Sequence, residues 1–303
     1  MQMRMGHVQR LVWVVAALAG AIGTVPSRAA DGGYAAEVRA WRQNREAGLK
    51  ADGGWLSVAG LFWLKEGSNG FGSGAGNDIV LPASAPARAG RFEVTGAQIT
   101  VRFEPGVPAQ VEGRAVAEGA LHADTSGTAE VITLGPLRMH VIERGGRLAI
   151  RLKDMNAESR RTFTGLRWFA VDERYRVTAR FVANPEAASL AVPNVLGQVE
   201  KMPSPGYAVF EMDGREHRMT GVLEAEGATE LFFIFKDETS GKETYPAGRF
   251  VYSALPTNGQ LVLDFNKAYN PPCAFTAYAT CPLPPKENWL GRRIEAGELR
   301  YGH

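Results

Sequence analysis

Hydrophobic positions fall along this chain in three regimes. Between Leu11 and Val25 they run without a single charge. From Tyr34 to Leu49 they recur at near-helical spacing: Tyr34, Val38, Trp41 and Leu49 share a stripe, and Arg39, Arg42, Glu46 and Lys50 lie largely elsewhere on the wheel. That spacing predicts an amphipathic helix over 34–49, stopped by Gly53-Gly54, whose stripe packs on the rest of the protein or on a partner. From residue 55 the apolar stretches shorten and alternate with period two, at Arg91–Thr95, Gln98–Phe103, Ala129–Leu134, Arg138–Glu143 and Leu148–Leu152. Asn77-Asp78, Gly106, Glu112-Gly113, Gly135-Pro136 and Gly145-Gly146 punctuate them. Short strands separated by tight turns predict a sandwich or barrel.

The irregular stretch Asp154–Gly165 interrupts this pattern and predicts a boundary. Strands resume at Arg174–Val182, Tyr207–Met212, Met219–Glu224, Glu230–Phe235, Arg249–Ser253 and Gln260–Phe265. Leu231–Phe235 is apolar at every position, which predicts a strand covered on both faces. The expected fold is mostly β: two sandwich- or barrel-like units, 55–155 and 156–303, behind a helical segment at 31–54.

The first apolar run is a different kind of element. Arg4 and Arg10 precede it, and Pro26-Ser27-Arg28-Ala29-Ala30 follows, with small residues placed for cleavage after Ala29. This is the grammar of a secretory signal peptide over 1–30, and the run falls short of the roughly 20 residues that cross a bilayer. An uncleaved anchor is the competing reading. The expected location is therefore periplasmic or secreted, with no membrane span after cleavage. Export also corrects the charge. Residues 1–30 carry three arginines and no acid, so 31 basic and 32 acidic side chains remain beyond them. A nearly neutral body gives no electrostatic footprint for nucleic acid.

Only two cysteines occur, Cys273 and Cys281. In an oxidising compartment they are expected to form a disulfide worth roughly 2.5 kcal/mol, enough to pin a loop. A metal or redox pair and two unpaired thiols remain alternatives.

The second half carries recognisable residues. They are Phe235-Lys236-Asp237-Glu238-Thr239-Ser240-Gly241, Thr244-Tyr245-Pro246-Ala247-Gly248-Arg249-Phe250 and Asp264-Phe265-Asn266-Lys267-Ala268-Tyr269-Asn270-Pro271-Pro272-Cys273, then Cys281-Pro282-Leu283-Pro284-Pro285, Asn288 and Ala296-Gly297-Glu298. With Gly54-Trp55-Leu56 and Gly60-Leu61-Phe62-Trp63-Leu64 they resemble the family catalogued as domain of unknown function 1684 (DUF1684), over about Trp41 to Tyr301. The resemblance implies no reaction. A fainter one lies in the first half, where Gly67-Ser68-Asn69, Phe71-Gly72-Ser73 and Asn77–Pro82 are similar to the opening strands of a forkhead-associated (FHA) sandwich. That module places Arg where Ser73 stands and a Ser-Arg-x-His run where Pro86–Gly90 stands, so the resemblance implies a shape and not phosphopeptide binding.

The densest polar constellation is Asp237, Thr239, Thr244, Tyr245, Arg249, Asp264, Asn266 and Asn270. If the strands ending at Phe235 and Phe265 are neighbours, Asp237 and Asp264 converge on one rim with Arg249 and Tyr245. Such a rim suits small-ligand or partner binding, or acid–base chemistry in a hydrolase or isomerase. The competing reading is turn chemistry, with Asp and Thr bonding their own backbone. No cofactor or metal is expected. The histidines form no His-x-His or His-Glu-x-x-His pattern, and glycine-rich Gly70–Gly76 opens no helix to receive phosphate. Trp41, Trp55 and Trp63 are expected to pack in the core, with a carbohydrate platform as the alternative.

Overall fold

The computed structural model describes residues 29–185, 188–225 and 227–302. Apart from Ala29 and Ala30, the expected signal peptide lies outside the described residues. The helix spans Ala29–Lys50, and Tyr34, Val38 and Leu49 of its apolar stripe are buried. Trp55–Ser57 follows as one 3₁₀ turn. Among the described residues no helix is long and apolar enough to cross a membrane.

Two sheets enclose the first core. One runs in the order Val58–Trp63, Arg147–Asp154, Leu137–Arg144, Ile132–Leu134, Ala109–Val111, Arg114–Ala115. The other runs Ile79–Val80, Gly67–Gly72, Gly90–Thr95, Gln98–Phe103, Glu118–Leu121. Alternation decides which side chains meet between them. Phe92 and Val94 point inward while Arg91 and Thr95 point out. Phe92 stacks on Phe71 with centroids 4.6 Å apart, and Leu121, Ile132, Met139 and Leu152 fill the same cluster.

In the second half, Arg215–Gly221, Gly206–Met212, Arg176–Ala183 and Gln260–Asp264 form an antiparallel sheet in that order. Glu230–Phe235 pairs with Arg249–Ala254 as a ribbon. Phe232 bridges the ribbon back to Val222, beyond the edge of the four-stranded sheet, so the strands curl into a barrel-like unit. Leu231 through Phe235 are all buried, as their unbroken apolarity predicts. A hairpin, Ser189–Pro193 with Val199–Pro203, covers a further cluster around Val192, Phe232 and Phe250.

The expected adjacency of the Glu230–Phe235 and Gln260–Asp264 strands fails. Gln260–Asp264 pairs with Arg176–Ala183, and Glu230–Phe235 pairs with Arg249–Ala254. Strand composition tells that a strand is buried but not which neighbour it takes. After the last strand the chain threads back through the unit as an irregular strap, and Ile294, Ala296 and Glu298 are wholly buried there. Gly297 shows why the strap needs that residue: its φ is +81°, and a Cβ there would stand 2.4 Å from the Ala268 carbonyl.

Candidate functional site

The strap's backbone is in irregular structure inside a core, so its polar groups need side-chain partners. Asp237, in the turn after Phe235, accepts from the Ile294 amide at 2.8 Å and from Thr239 Oγ1 at 2.8 and 3.0 Å. Arg249 Nη2 donates to the Ile294 carbonyl at 2.9 Å and to Asp237 at 3.3 Å, and Nη1 donates to the Ala296 carbonyl. Thr239 and Thr244 hydroxyls sit 2.8 Å apart. The side chains of Asp237 and Arg249 have no solvent exposure. Burial lowers the Arg249 pKa, and Asp237 opposes that shift. This constellation grips the strap.

Asp264 belongs to a second network, which docks the N-terminal helix. Tyr34 donates to its carboxylate at 2.7 Å, and the Asn266 amide donates to the same oxygen at 3.1 Å. Asn266 Nδ2 reaches the Tyr34 hydroxyl at 2.9 Å and the Asp172 carbonyl at 2.8 Å. Burial, and then the bond to Asp264, raise the Tyr34 pKa.

A third network surrounds Glu298. Asn270 Nδ2 donates to Glu298 at 2.7 Å and to the Leu299 carbonyl at 2.8 Å. Arg45, from the helix, reaches the Asn270 carbonyl at 3.0 Å and places Nε 3.6 Å from the Glu298 carboxylate. Burial pushes the Glu298 carboxyl up to about 7, against the pull of Arg45 and Asn270.

The expected single rim of Asp237, Tyr245, Arg249 and Asp264 therefore does not form. Asp237 and Arg249 are sealed together, Asp264 holds the helix, and Tyr245 donates to the Cys273 carbonyl at 3.1 Å. The strand carrying Arg249, not the one carrying Asp264, lies beside the Asp237 strand. The expected disulfide is not shown: Cys273 and Cys281 lie side by side as thiols, with the Cys273 amide 3.1 Å from Cys281 Sγ. The hydrogen bond from Cys281 lowers the Cys273 pKa, and nearby Arg151 adds to the effect.

Sequence reasoning missed the surface where the two units meet. Trp55, Leu190, Met202, Tyr252, Tyr269 and Cys273 are half-buried and pack on the Val192–Phe232–Phe250 cluster. Tyr252 stacks on Phe232 at 4.9 Å and on Tyr269 at 6.2 Å, and Trp41 lies 6.3 Å from Tyr269. Arg45 covers the Tyr269 ring at 4.5 Å. The first unit contributes Arg151, whose guanidinium lies 5.2 Å from the Trp55 ring centre. Gln198 of the hairpin reaches across to the Arg144 carbonyl. The three tryptophans expected in the core are all half-buried, Trp63 under Arg147 at 4.3 Å. An arginine face above a tryptophan was the available signal, but its members lie about a hundred residues apart. Two open concavities lie elsewhere, one along Phe103–Ala117 and one between Lys236, Pro284 and Trp289.

The family described as "protein of unknown function (DUF1684)" matches residues 161–299. An uncharacterized protein of Haloarcula marismortui, known from a solution NMR structure, is 31% identical; the match covers 47% of this chain and 80% of that one, with a TM-score of 0.40. The FHA-2 domain of a Mycobacterium tuberculosis ABC transporter is 26% identical, covering 29% of this chain and 77% of that one at a TM-score of 0.22. An FHA domain from Chlamydia trachomatis is 19% identical, covering 31% and 94% at 0.22. No curated protein matches. The chain belongs to the DUF1684 family.

Proposed function

We propose that this DUF1684 protein works outside the cytoplasm as a non-catalytic binding protein, holding a small ligand in the seam between its two β units. The observation that carries the reading is the seam's lining. Trp55, Tyr252 and Tyr269 are large and half-buried, and they pack on the same cluster as Cys273, Leu190 and Met202. Partly open aromatic walls with a few polar groups are what small-molecule sites are built from. Against acid–base catalysis by Asp237 or Asp264 stands the work those carboxylates already do. Asp237 is engaged by an arginine, a threonine and a backbone amide, and one oxygen of Asp264 by a tyrosine and a backbone amide, with Lys267 3.5 Å from the other.

The extracytoplasmic location rests on the signal grammar of residues 1–30. In that setting Cys273 and Cys281 join as a disulfide, pinning the loop that borders the seam. Native mass spectrometry of protein recovered from the periplasm of an expressing bacterium tests these points together. The expected species has lost 29 or 30 N-terminal residues and two thiol protons, and it carries a small-molecule adduct released on unfolding. An intact Met1 would defeat export, and two titratable thiols would defeat the disulfide. A ligand-free protein whose melting temperature no metabolite raises would defeat binding.

A further inference from the structure

We infer that the seam holds an oxyanion seat, in which Arg151, flanked by His140 and Lys153 and lying over Trp55, receives the carboxylate or phosphate group of a small ligand. This rests on the binding reading above and names the chemistry of that site.

Arg151 is only 6% exposed, and its Nε and Nη2 have no hydrogen-bond partner. Among the described residues it enters no ion pair, and neither does Lys153. A guanidinium withdrawn from water and left unpaired is costly, because it has lost hydration without gaining an acceptor. The residues around it deepen the cost. His140 stands directly opposite Arg151 on the neighbouring strand, and Lys153 follows two residues on, on the same face of the sheet. Burial, with Lys153 and Arg151 adding their charge, holds the His140 pKa down at about 4. Burial and Arg151 lower the Lys153 pKa as well. The nearby carboxylate, Asp124, is already taken by Arg144 in a two-pronged pair at 2.8 and 2.9 Å. The remaining ionisable neighbours of Arg151 are the thiols of Cys273 and Cys281, and they can no longer form a thiolate once they are joined as a disulfide.

The cluster thus carries uncompensated positive charge beside aromatic rings. A planar guanidinium presents paired donors that match the two oxygens of a carboxylate or phosphate. The Trp55 ring lies 5.2 Å from the guanidinium, and the half-buried rings of Tyr252 and Tyr269 on the same apolar cluster offer a surface for a ligand's body.

The test titrates the mature protein with sodium benzoate and, separately, with inorganic phosphate, using sodium chloride at equal ionic strength as the reference. The readouts are the Trp55 indole N–H resonance and the melting temperature. At least one probe is expected to move the Trp55 resonance, to leave that of distant Trp289 in place, and to raise the melting temperature. Arg151→Gln is expected to weaken that binding about tenfold or more, the scale of a lost charge-assisted pair. A response to benzoate alone assigns an organic acid, and a response to phosphate alone assigns a phosphate group. Equal behaviour of both probes and chloride overturns the seat, as does undiminished binding to Arg151→Gln. Should Arg151→Gln fail to fold, the wild-type Trp55 response decides: no response, or one centred on Trp289, overturns it. An adduct that copurifies with Arg151→Gln as fully as with wild type leaves the binding function standing and removes this seat.

Discussion

Arg249 and Arg151 are both withdrawn from solvent, on strands of comparable burial, yet the chain treats them in opposite ways. Both Nη atoms of Arg249 meet acceptors, two strap carbonyls and a carboxylate that is itself fully engaged, and only its Nε lacks one. Arg151 has Lys153 and a neutral His140 beside it, a carboxylate already taken by Arg144, and two nitrogens with nothing to bond. A buried arginine inside a saturated network ties chain segments together, because the alternative is an irregular backbone with unpaired carbonyls. A buried arginine without acceptors spends stability and returns none in the free protein. The first is architecture. The second makes physical sense where a ligand supplies the missing acceptor.

The largest effect belongs to Arg249. Arg249→Met keeps much of the volume but leaves Asp237 as a buried carboxylate without its counter-charge and unpairs the Ile294 and Ala296 carbonyls. Removing one member of a buried pair costs about 3–5 kcal/mol. Urea denaturation should show that loss, with the strap's amides exchanging first. A loss below 1 kcal/mol, on the scale of an exposed pair, would erase the contrast between the two arginines.

Glu298 gives the next effect and a direction with pH. Its carboxyl is raised in the folded protein from 4.5 to about 7, so the folded state holds a proton that the unfolded chain has released. Its contribution is present in full below pH 4.5 and is lost as pH rises to about 7, a change of about 3 kcal/mol. Glu298→Gln removes the titration and keeps an acceptor for Asn270. Stability measured from pH 4.5 to 7.5 should therefore fall less steeply in the variant than in the wild type. Parallel slopes would mean that Arg45 holds the carboxylate ionised throughout.

Tyr34→Phe tests the helix dock. It removes the hydroxyl that bonds Asp264 and Asn266 while leaving the ring in place. The expected cost is about 1–2 kcal/mol, since one buried acceptor loses a donor and keeps another. Hydrogen exchange should speed up along Ala29–Lys50 before it does in the barrel strands. Unchanged exchange there would mean that Val38 and Leu49 hold the helix by themselves.

These differences bear on what the chain disclosed before folding. Gln98–Phe103 and Glu230–Phe235 form the expected strands to the residue, because alternation and unbroken apolarity are local signals. Val58–Trp63 and the Ser189–Pro203 hairpin gave weaker patterns, with glycine in one and prolines in the other, and were not foreseen. Within the motif, Thr239 and Asn266 bond their own neighbourhood, as turn chemistry predicts. Their partners could not be read. Tyr34 and Asp264 are 230 residues apart, and only the fold brings them to 2.7 Å. Arg151 left no mark at all, since one arginine in an alternating strand reads as a solvent-facing residue until a second unit covers it.

The smallest expected effect is the one that sharpens the comparison most. Arg151→Met replaces an unpaired buried cation by an apolar chain of similar length over Trp55. The Nε and Nη2 of Arg151 make no hydrogen bond that the substitution could break. Repulsion with Lys153 is relieved. The methionine keeps a favourable contact with the indole face. Stability of the ligand-free protein should be unchanged or raised by about 1 kcal/mol, the low end of what is seen when buried charge gives way to well-packed apolar groups. The matched experiment is a pair of urea curves for Arg151→Met and Arg249→Met, recorded in one buffer without phosphate or organic acid. If both variants lose several kcal/mol, Arg151 is as structural as Arg249, and its nitrogens must find acceptors in solution. If only Arg249→Met does, the free protein carries Arg151 at a loss, and a residue kept at a loss is one whose partner arrives from outside.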